Sequence, residues 1–287
     1  MSNDLIPPAF GPGSQVDGPD GAEGEKLEYM EMPREMATFE RPIAPEPEDT
    51  QGMKAGKKKL MEVIEILAEY DVGEPARIVD TTGLKELDLG LINQLLGEGE
   101  VSLVSGARIQ AQESYFAGVW RVLHFGDEGK LQKDTIEVAS WPGAVASRVF
   151  EGAQERVPLS DMENLPAGVF NTPTLLSELA DKVKSRKPGD PVHSINLSLL
   201  PHTEEDLVYL NDQLGKGDTI ILSRGYGNCR VTSTKTNKVW WVQYYNSQDA
   251  LILNTLEITD VPEVICAAQE DIEDSLERLE EIMELYQ

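Results

Sequence analysis

One module is written twice in this chain, and that limits its fold more than any other feature. Leu91-Ile92-Asn93-Gln94-Leu95-Leu96-Gly97-Glu98-Gly99-Glu100 returns as Tyr209-Leu210-Asn211-Asp212-Gln213-Leu214-Gly215-Lys216-Gly217-Asp218. Val119-Trp120-Arg121-Val122 returns as Val239-Trp240-Trp241-Val242, and Thr135-Ile136-Glu137-Val138 as Thr255-Leu256-Glu257-Ile258. Upstream, Gly73-Glu74-Pro75 matches Gly189-Asp190-Pro191, an offset of 116, whereas Trp120 matches Trp240 at an offset of 120. A few short loop insertions account for that drift. Solenoid repeats run to roughly 20–50 residues, so this longer period reads as two copies of a small domain. Function is then expected on a surface that both copies build.

A chain of 287 residues has room for two such domains, each burying its own core. Its 25 Lys and Arg against 51 Asp and Glu leave a net charge of −26. A polyanion of this kind repels nucleic acid and anionic lipid, which both need basic surface; the expected partners are proteins. No apolar run approaches the roughly 18 residues that cross a bilayer. Met1-Ser2-Asn3-Asp4-Leu5-Ile6-Pro7 lacks the basic region and apolar core of a secretory signal. The expectation is a cytoplasmic protein with no membrane insertion and no nucleic-acid partner. Cys229 and Cys266, with His124, His193 and His202, are too few and too scattered for a structural zinc or an iron–sulfur cluster. Two idle thiols, and no cofactor or metal, are expected.

Four segments follow from pattern and composition. Residues 1–52 are rich in Pro, Gly and acids and read as an extended or disordered arm, punctuated by Phe10, Tyr29, Met30, Met32 and Phe39. Residues 53–150 form a first α+β module. Its opening helix, near Lys57–Tyr70, sets Leu60, Val63, Ile64 and Leu67 on one face. A helix ending at Leu96 before Gly97 follows, then strands at Val101–Val104, Tyr115–Phe125 and Thr135–Val138. Residues 151–172 read as a linker. Residues 173–287 form the second module: a capping box at Thr203-Glu204-Glu205-Asp206, a hairpin around Gly225-Tyr226-Gly227, and a final acidic helix. Nine acids stand against one Arg between Glu263 and Gln287. Helices and strands in runs predict an α+β fold with largely antiparallel sheets.

Chemistry-bearing motifs are scarce. Gly97-Glu98-Gly99-Glu100 has the spacing of a phosphate loop, but its carboxylates would repel the ligand, so a helix cap and strand entry is the better reading. Trp240 and Trp241 are neighbours on a strand and must face opposite ways. Trp240 belongs in the core, and Trp241 marks either a contact surface or a second buried layer. No nucleophile elbow, oxyanion loop or catalytic constellation stands out.

In the order in which they occur, several strings make the chain similar to the HupH/HyaF family of nickel–iron hydrogenase accessory proteins. They are Phe10-Gly11-Pro12-Gly13-Ser14-Gln15, Tyr29-Met30-Glu31-Met32-Pro33, Leu95-Leu96-Gly97-Glu98-Gly99-Glu100, Gly118-Val119-Trp120-Arg121-Val122, His193-Ser194-Ile195-Asn196-Leu197, Gly225-Tyr226-Gly227 and Pro262-Glu263-Val264. The resemblance implies a non-enzymatic chaperone in maturation of the iron–sulfur small subunit before export, above all under oxygen. It implies two partners: the hydrogenase small subunit precursor and a thioredoxin-like HyaE/HupG-type accessory protein. It supplies no catalytic residues. Contacts are expected at Phe10, Gly11, Pro12, Gly13 and Gln15, at Gly97 and Gly99, at Gly225, Tyr226 and Gly227, and at Trp241. Two other readings stay open: a transient metal or redox carrier in hydrogenase assembly, and an enzyme with a cleft between the modules.

Overall fold

Alternating apolar runs pair into a single antiparallel sheet of ten strands, in a computed structural model that describes residues 45–225 and 228–286. Phe10, Gly11, Pro12, Gly13 and Gln15 lie outside the described residues, as do Tyr226 and Gly227. The first half runs α1 (Lys54–Leu67), β1 (Arg77–Asp80), α2 (Glu86–Leu96), β2 (Val101–Ser105), β3 (Ile109–Glu113), β4 (Val119–Phe125), β5 (Leu131–Val138) and the short α3 (Gly143–Ala146). The second runs α4 (Thr172–Ser185), β6 (His193–Asn196), α5 (Glu204–Leu214), β7 (Lys216–Ser223), β8 (Asn228–Thr234), β9 (Val239–Tyr245), β10 (Leu251–Ile258) and α6 (Gln269–Glu284).

The sheet order is β1-β5-β4-β3-β2-β7-β8-β9-β10-β6, so the strands come in the same succession from either end. The halves meet where β2 pairs with β7, Leu103 opposite Ile221. Two separate sheets were expected; instead, two strands that would each be an exposed apolar edge cover one another. Period-two alternation then divides the side chains. On one face Trp120 and Trp240, both wholly buried, share a cluster with Leu103, Ile221 and Val231 that spans both halves. On the other face α1, α2 and α6 bury Leu60, Val63, Leu91 and Leu95 over the first half, and α4 and α5 bury Leu176, Leu179 and Leu210 over the second.

Local hydrogen bonds match between the halves. Trp120 Nε1 donates to Ala139 O at 3.0 Å, and Trp240 Nε1 to Thr259 O at 3.2 Å. The Gly56 N–H donates to Asp88 Oδ1 at 2.7 Å, and the Thr172 N–H to Asp206 Oδ1 at 3.0 Å. Each half also sends its end across to the other. The Gln154 N–H donates to Lys235 O at 2.7 Å, and Val157 is buried in the second half's core, so residues 151–172 are packed rather than free. Helix α6, expected within the second module, buries Ile272, Leu279 and Met283 against the first. Its sequence is acidic on one face and apolar on the other, and the apolar face takes the surface that α1 and α2 leave open.

The expected run Tyr115–Phe125 is shortened. Ser114 Oγ accepts from the Phe116 N–H at 3.1 Å, and Gly118 is left-handed (φ 77°), so the chain turns before β4 begins at Val119. Residues 45–50, expected within the arm, are folded onto the body: Pro47–Thr50 form a 3-10 turn, Thr50 is buried, and the Tyr286 hydroxyl donates to Pro45 O at 2.6 Å. Gly118 carries a sharp expectation, because a side chain there would strike Ile272 of α6. Gly118→Val should lose about 2–4 kcal/mol from overpacking and left-handed strain together. In denaturant titrations, adding Ile272→Ala should recover part of that loss; purely additive losses would show that α6 does not bear on Gly118.

Candidate functional site

The two glycine turns anticipated from the sequence meet in space. Gly97, at φ 59°, closes α2 and donates its N–H to Asn93 O at 2.9 Å. The Gly99 N–H donates to Glu113 O at 2.7 Å, and a Cβ on Gly99 would press on the Ser114 backbone. Across the β2–β7 ladder the Arg224 N–H donates to Glu100 O at 3.1 Å, and Gly225 lies against the Glu100 carboxylate. At the opposite end of that ladder the contact recurs with the halves exchanged: the Gly106 N–H donates to Asp218 O at 2.8 Å. A pair of related turn contacts therefore brackets the junction.

Trp241 is not part of this junction. It lies on the helix-covered face, partly buried against the core under α4 and α5, with Nε1 donating to Asn254 Oδ1. The matched pair in the first half is Arg121 and Asp134, ion-paired at 2.6 Å, with Arg121 also donating to Asn93 Oδ1 at 2.7 Å. The same place in the weave thus holds an aromatic–amide pair in one half and an ion pair in the other.

Beneath the Gly97–Glu100 turn sits a residue that sequence reasoning passed over. Glu113 is buried; its Oε1 accepts from the Gly118 N–H at 3.3 Å. Burial pushes its pKa up to about 7; the Gly118 N–H opposes the shift, and the Glu100 and Asp271 carboxylates add to it. The available signal was the inward register Ile109, Ala111, Glu113 along β3, which puts the carboxylate on the tryptophan face. Burial also raises Glu137, whose Oε1 has no partner, and Glu257.

Two clefts open beside the tryptophan cluster. One, of about 830 Å³, is lined by Trp141, Phe150, Val261, Arg148, Lys238 and Asp260. The other, of about 410 Å³, is lined by Gly106, Arg108, Arg148, Gly217, Asp218 and Lys235. Glu113, Cys229 and Cys266 line neither. Burial pushes the Cys229 thiol up to about 12 and the Cys266 thiol up to about 11, so neither is a ready thiolate nucleophile. Among the described residues, no three His, Cys, Asp or Glu side chains are grouped to hold a metal ion, and no helix is long and apolar enough to cross a membrane.

Comparison with known proteins adds a consistent set of relatives. The family described as HupH hydrogenase expression protein, C-terminal conserved region, matches residues 54–158 and 169–286. The hydrogenase expression/formation protein HupQ of Azotobacter chroococcum is 44% identical over 98% of this chain and 97% of its own. HupH of Rhodobacter capsulatus is 44% identical over 99% of this chain and 98% of its own. The hydrogenase-1 operon protein HyaF of Escherichia coli is 35% identical over 71% of each. The solved hydrogenase expression protein HupH from Thiobacillus denitrificans is 28% identical, covering 40% of this chain and 95% of that one, with a TM-score of 0.38.

Proposed function

This chain belongs to the HupH family of hydrogenase expression proteins, and on that premise we propose that it is a non-enzymatic chaperone in hydrogenase maturation. Its client is the immature iron–sulfur small subunit, held in the cytoplasm before export, with a thioredoxin-like accessory protein of the HyaE/HupG type as companion. The observation that carries the mode of action is the junction, where Gly99–Glu100 meets Arg224–Gly225 at one end and Gly106 meets Asp218 at the other. The two halves, residues 53–150 and 173–287, are then copies of one module presenting two related contact patches. Two linked patches gain by effective concentration even where each is weak. A net charge of −26 steers the protein toward basic client segments and away from nucleic acid. Cys229 is buried, Cys266 is half-buried, and both thiols are held well above the ordinary thiol range, which speaks against a redox carrier.

Co-purification with tagged small-subunit precursor tests the claim. The protein should be recovered with the precursor and not with mature enzyme, and its deletion should cut aerobic hydrogenase activity more than anaerobic activity. Recovery of precursor without it at every stage, with aerobic activity intact in the deletion strain, would overturn the proposal.

A further inference from the structure

One surface differs in kind between the two halves, and matched hydrogen bonds align it. The Asp134 N–H donates to Thr82 Oγ1 at 3.0 Å and the Asn254 N–H to Ser198 Oγ at 2.9 Å, so Leu199 stands where the first half has Gly83. The bonds to Asp88 and Asp206 align Gly56 with Thr172, so Phe170 stands for Lys54. Gln132 and Ile252 are the bulged residues of β5 and β10. A lysine, a glycine and a glutamine in the first half are thus a phenylalanine, a leucine and an isoleucine in the second. Among the described residues nothing covers these three: Phe170 is 71% exposed, Leu199 80% and Ile252 60%. The chain gathers them into a strip. The 3-10 turn Leu197–Leu199 continues β6 alongside β10, and Asn171 Nδ2 donates to Pro201 O at 2.7 Å, which sets Phe170 next to the Leu200–Pro201 stretch. Thr203 Oγ1 donates to Gly168 O at 2.8 Å and the Glu205 side chain lies against Gly168, so the first turn of α5 borders the strip with Glu204 and Glu205. The stretches that build this surface, residues 157–181, 188–215 and 239–262, contain no Lys or Arg. The matching place in the first half carries Lys54, Lys85 and Lys133.

We propose that this strip binds a short segment of another protein in which apolar side chains stand beside Lys or Arg. A contiguous run of exposed apolar side chains with a polar border is the mark of a contact surface. Its border supplies the sign of the partner: Glu204 and Glu205 attract cations, and no lysine or arginine within the strip repels them. The same border turns away anionic lipid and nucleic acid. Its size supplies the scale. So few side chains fall short of the roughly 800 Å² per partner of a stable protein pair, and two copies of a chain of net charge −26 repel one another, so a second copy is a poor occupant. A short basic and apolar segment meets both conditions. The halves then differ in what they offer, the second an apolar strip and the first a basic polar face. The inference rests on this surface and not on the identity of any client.

Fluorescence anisotropy of the full-length protein with a short labelled peptide of Leu and Lys tests it. The peptide should bind, and its affinity should fall as salt is added. Two companions, one with Ser for every Leu and one with Glu for every Lys, should bind far more weakly. Phe170→Gln, Leu199→Gln and Ile252→Gln together keep the net charge and should weaken binding of the Leu–Lys peptide by at least about tenfold. Met61→Gln, Leu87→Gln and Leu131→Gln, at exposed positions of the first half, should leave it unchanged, which separates the strip from general attraction to an acidic protein. All six positions are on the surface, and matching urea midpoints confirm that both variants fold. Equal weakening in both triple variants, no binding by the wild type, or equal binding of the Ser or Glu companions would each overturn the proposal. So would a wild-type dimer in sedimentation that the Phe170, Leu199 and Ile252 variant dissociates, because the strip would then belong to a second copy. The peptide carries no hydrogenase sequence, so its failure would leave the proposed client standing.

Discussion

Asp206→Ala is expected to cost about 3–5 kcal/mol of stability, the penalty of leaving several buried donors without an acceptor. Asp206 is buried within α5, yet it organises the start of another helix. Its Oδ1 accepts from the N–H groups of Phe170, Asn171 and Thr172 at 2.9, 2.9 and 3.0 Å, while Oδ2 accepts from the Thr203 N–H at 3.2 Å. One carboxylate thus closes the capping box of α5 and caps α4. Burial alone would raise its pKa, but the four backbone donors from Thr172, Thr203, Asn171 and Phe170 outweigh it and hold the carboxyl below the usual carboxylate range. The stabilisation is therefore complete above the ordinary Asp value of about 3.9 and is lost as pH falls below it. Urea titrations at pH 7 should show the full difference between wild type and Asp206→Ala, shrinking toward pH 2. Asp206→Asn, which keeps an acceptor, should lose less. A difference that stays constant down to pH 2 would mean that the charge contributes nothing.

The box at Thr203–Asp206 was legible in the sequence because it is local: Thr203 Oγ1 accepts from the Asp206 N–H at 2.9 Å, as the spacing implies. The service Asp206 gives to residues 170–172 was not legible, since nothing in four consecutive residues says what lies across a helix pair. The same division runs through the fold. The opposition of Trp240 and Trp241 follows from strand parity, and the wholly buried Trp120 and Trp240 follow from their repeated context. The fusion of two five-stranded sheets at Leu103 and Ile221 does not, because a strand's sequence rarely shows whether its second edge is paired. Nor does the crossing of α6: its apolar stripe was plain, but the surface it covers belongs to α1 and α2, some 200 positions earlier. At the candidate site, glycine spacing pointed to both turns, and only the β2–β7 register put Glu100 beside Gly225.

Glu113→Gln should leave stability near pH 5 almost unchanged and raise it by about 3 kcal/mol at pH 8. The sign follows from where the proton sits. In the unfolded chain the carboxyl ionises near 4.5; in the fold, burial holds it protonated up to about 7. Between these values only the unfolded chain ionises, so wild-type stability falls as pH rises from 4.5 to 7 and then levels off. Glutamine removes that slope while keeping an oxygen to accept from the Gly118 N–H. Glu137 and Glu257, also raised by burial, slope the same way in both proteins and cancel in the difference. Chemical denaturation from pH 5 to 8 measures it directly, and parallel profiles would show that Glu113 is already ionised in the fold. The position gives the slope a functional reading: Glu113 lies under the Gly97–Glu100 turn, and the Glu100 and Asp271 carboxylates help to keep it neutral. A basic client segment that neutralised Glu100 would remove one of those repulsions and favour ionisation of Glu113. Binding at this junction should then release a fraction of a proton near pH 7 from the wild type, visible as a buffer-dependent heat, and none from this group in Glu113→Gln.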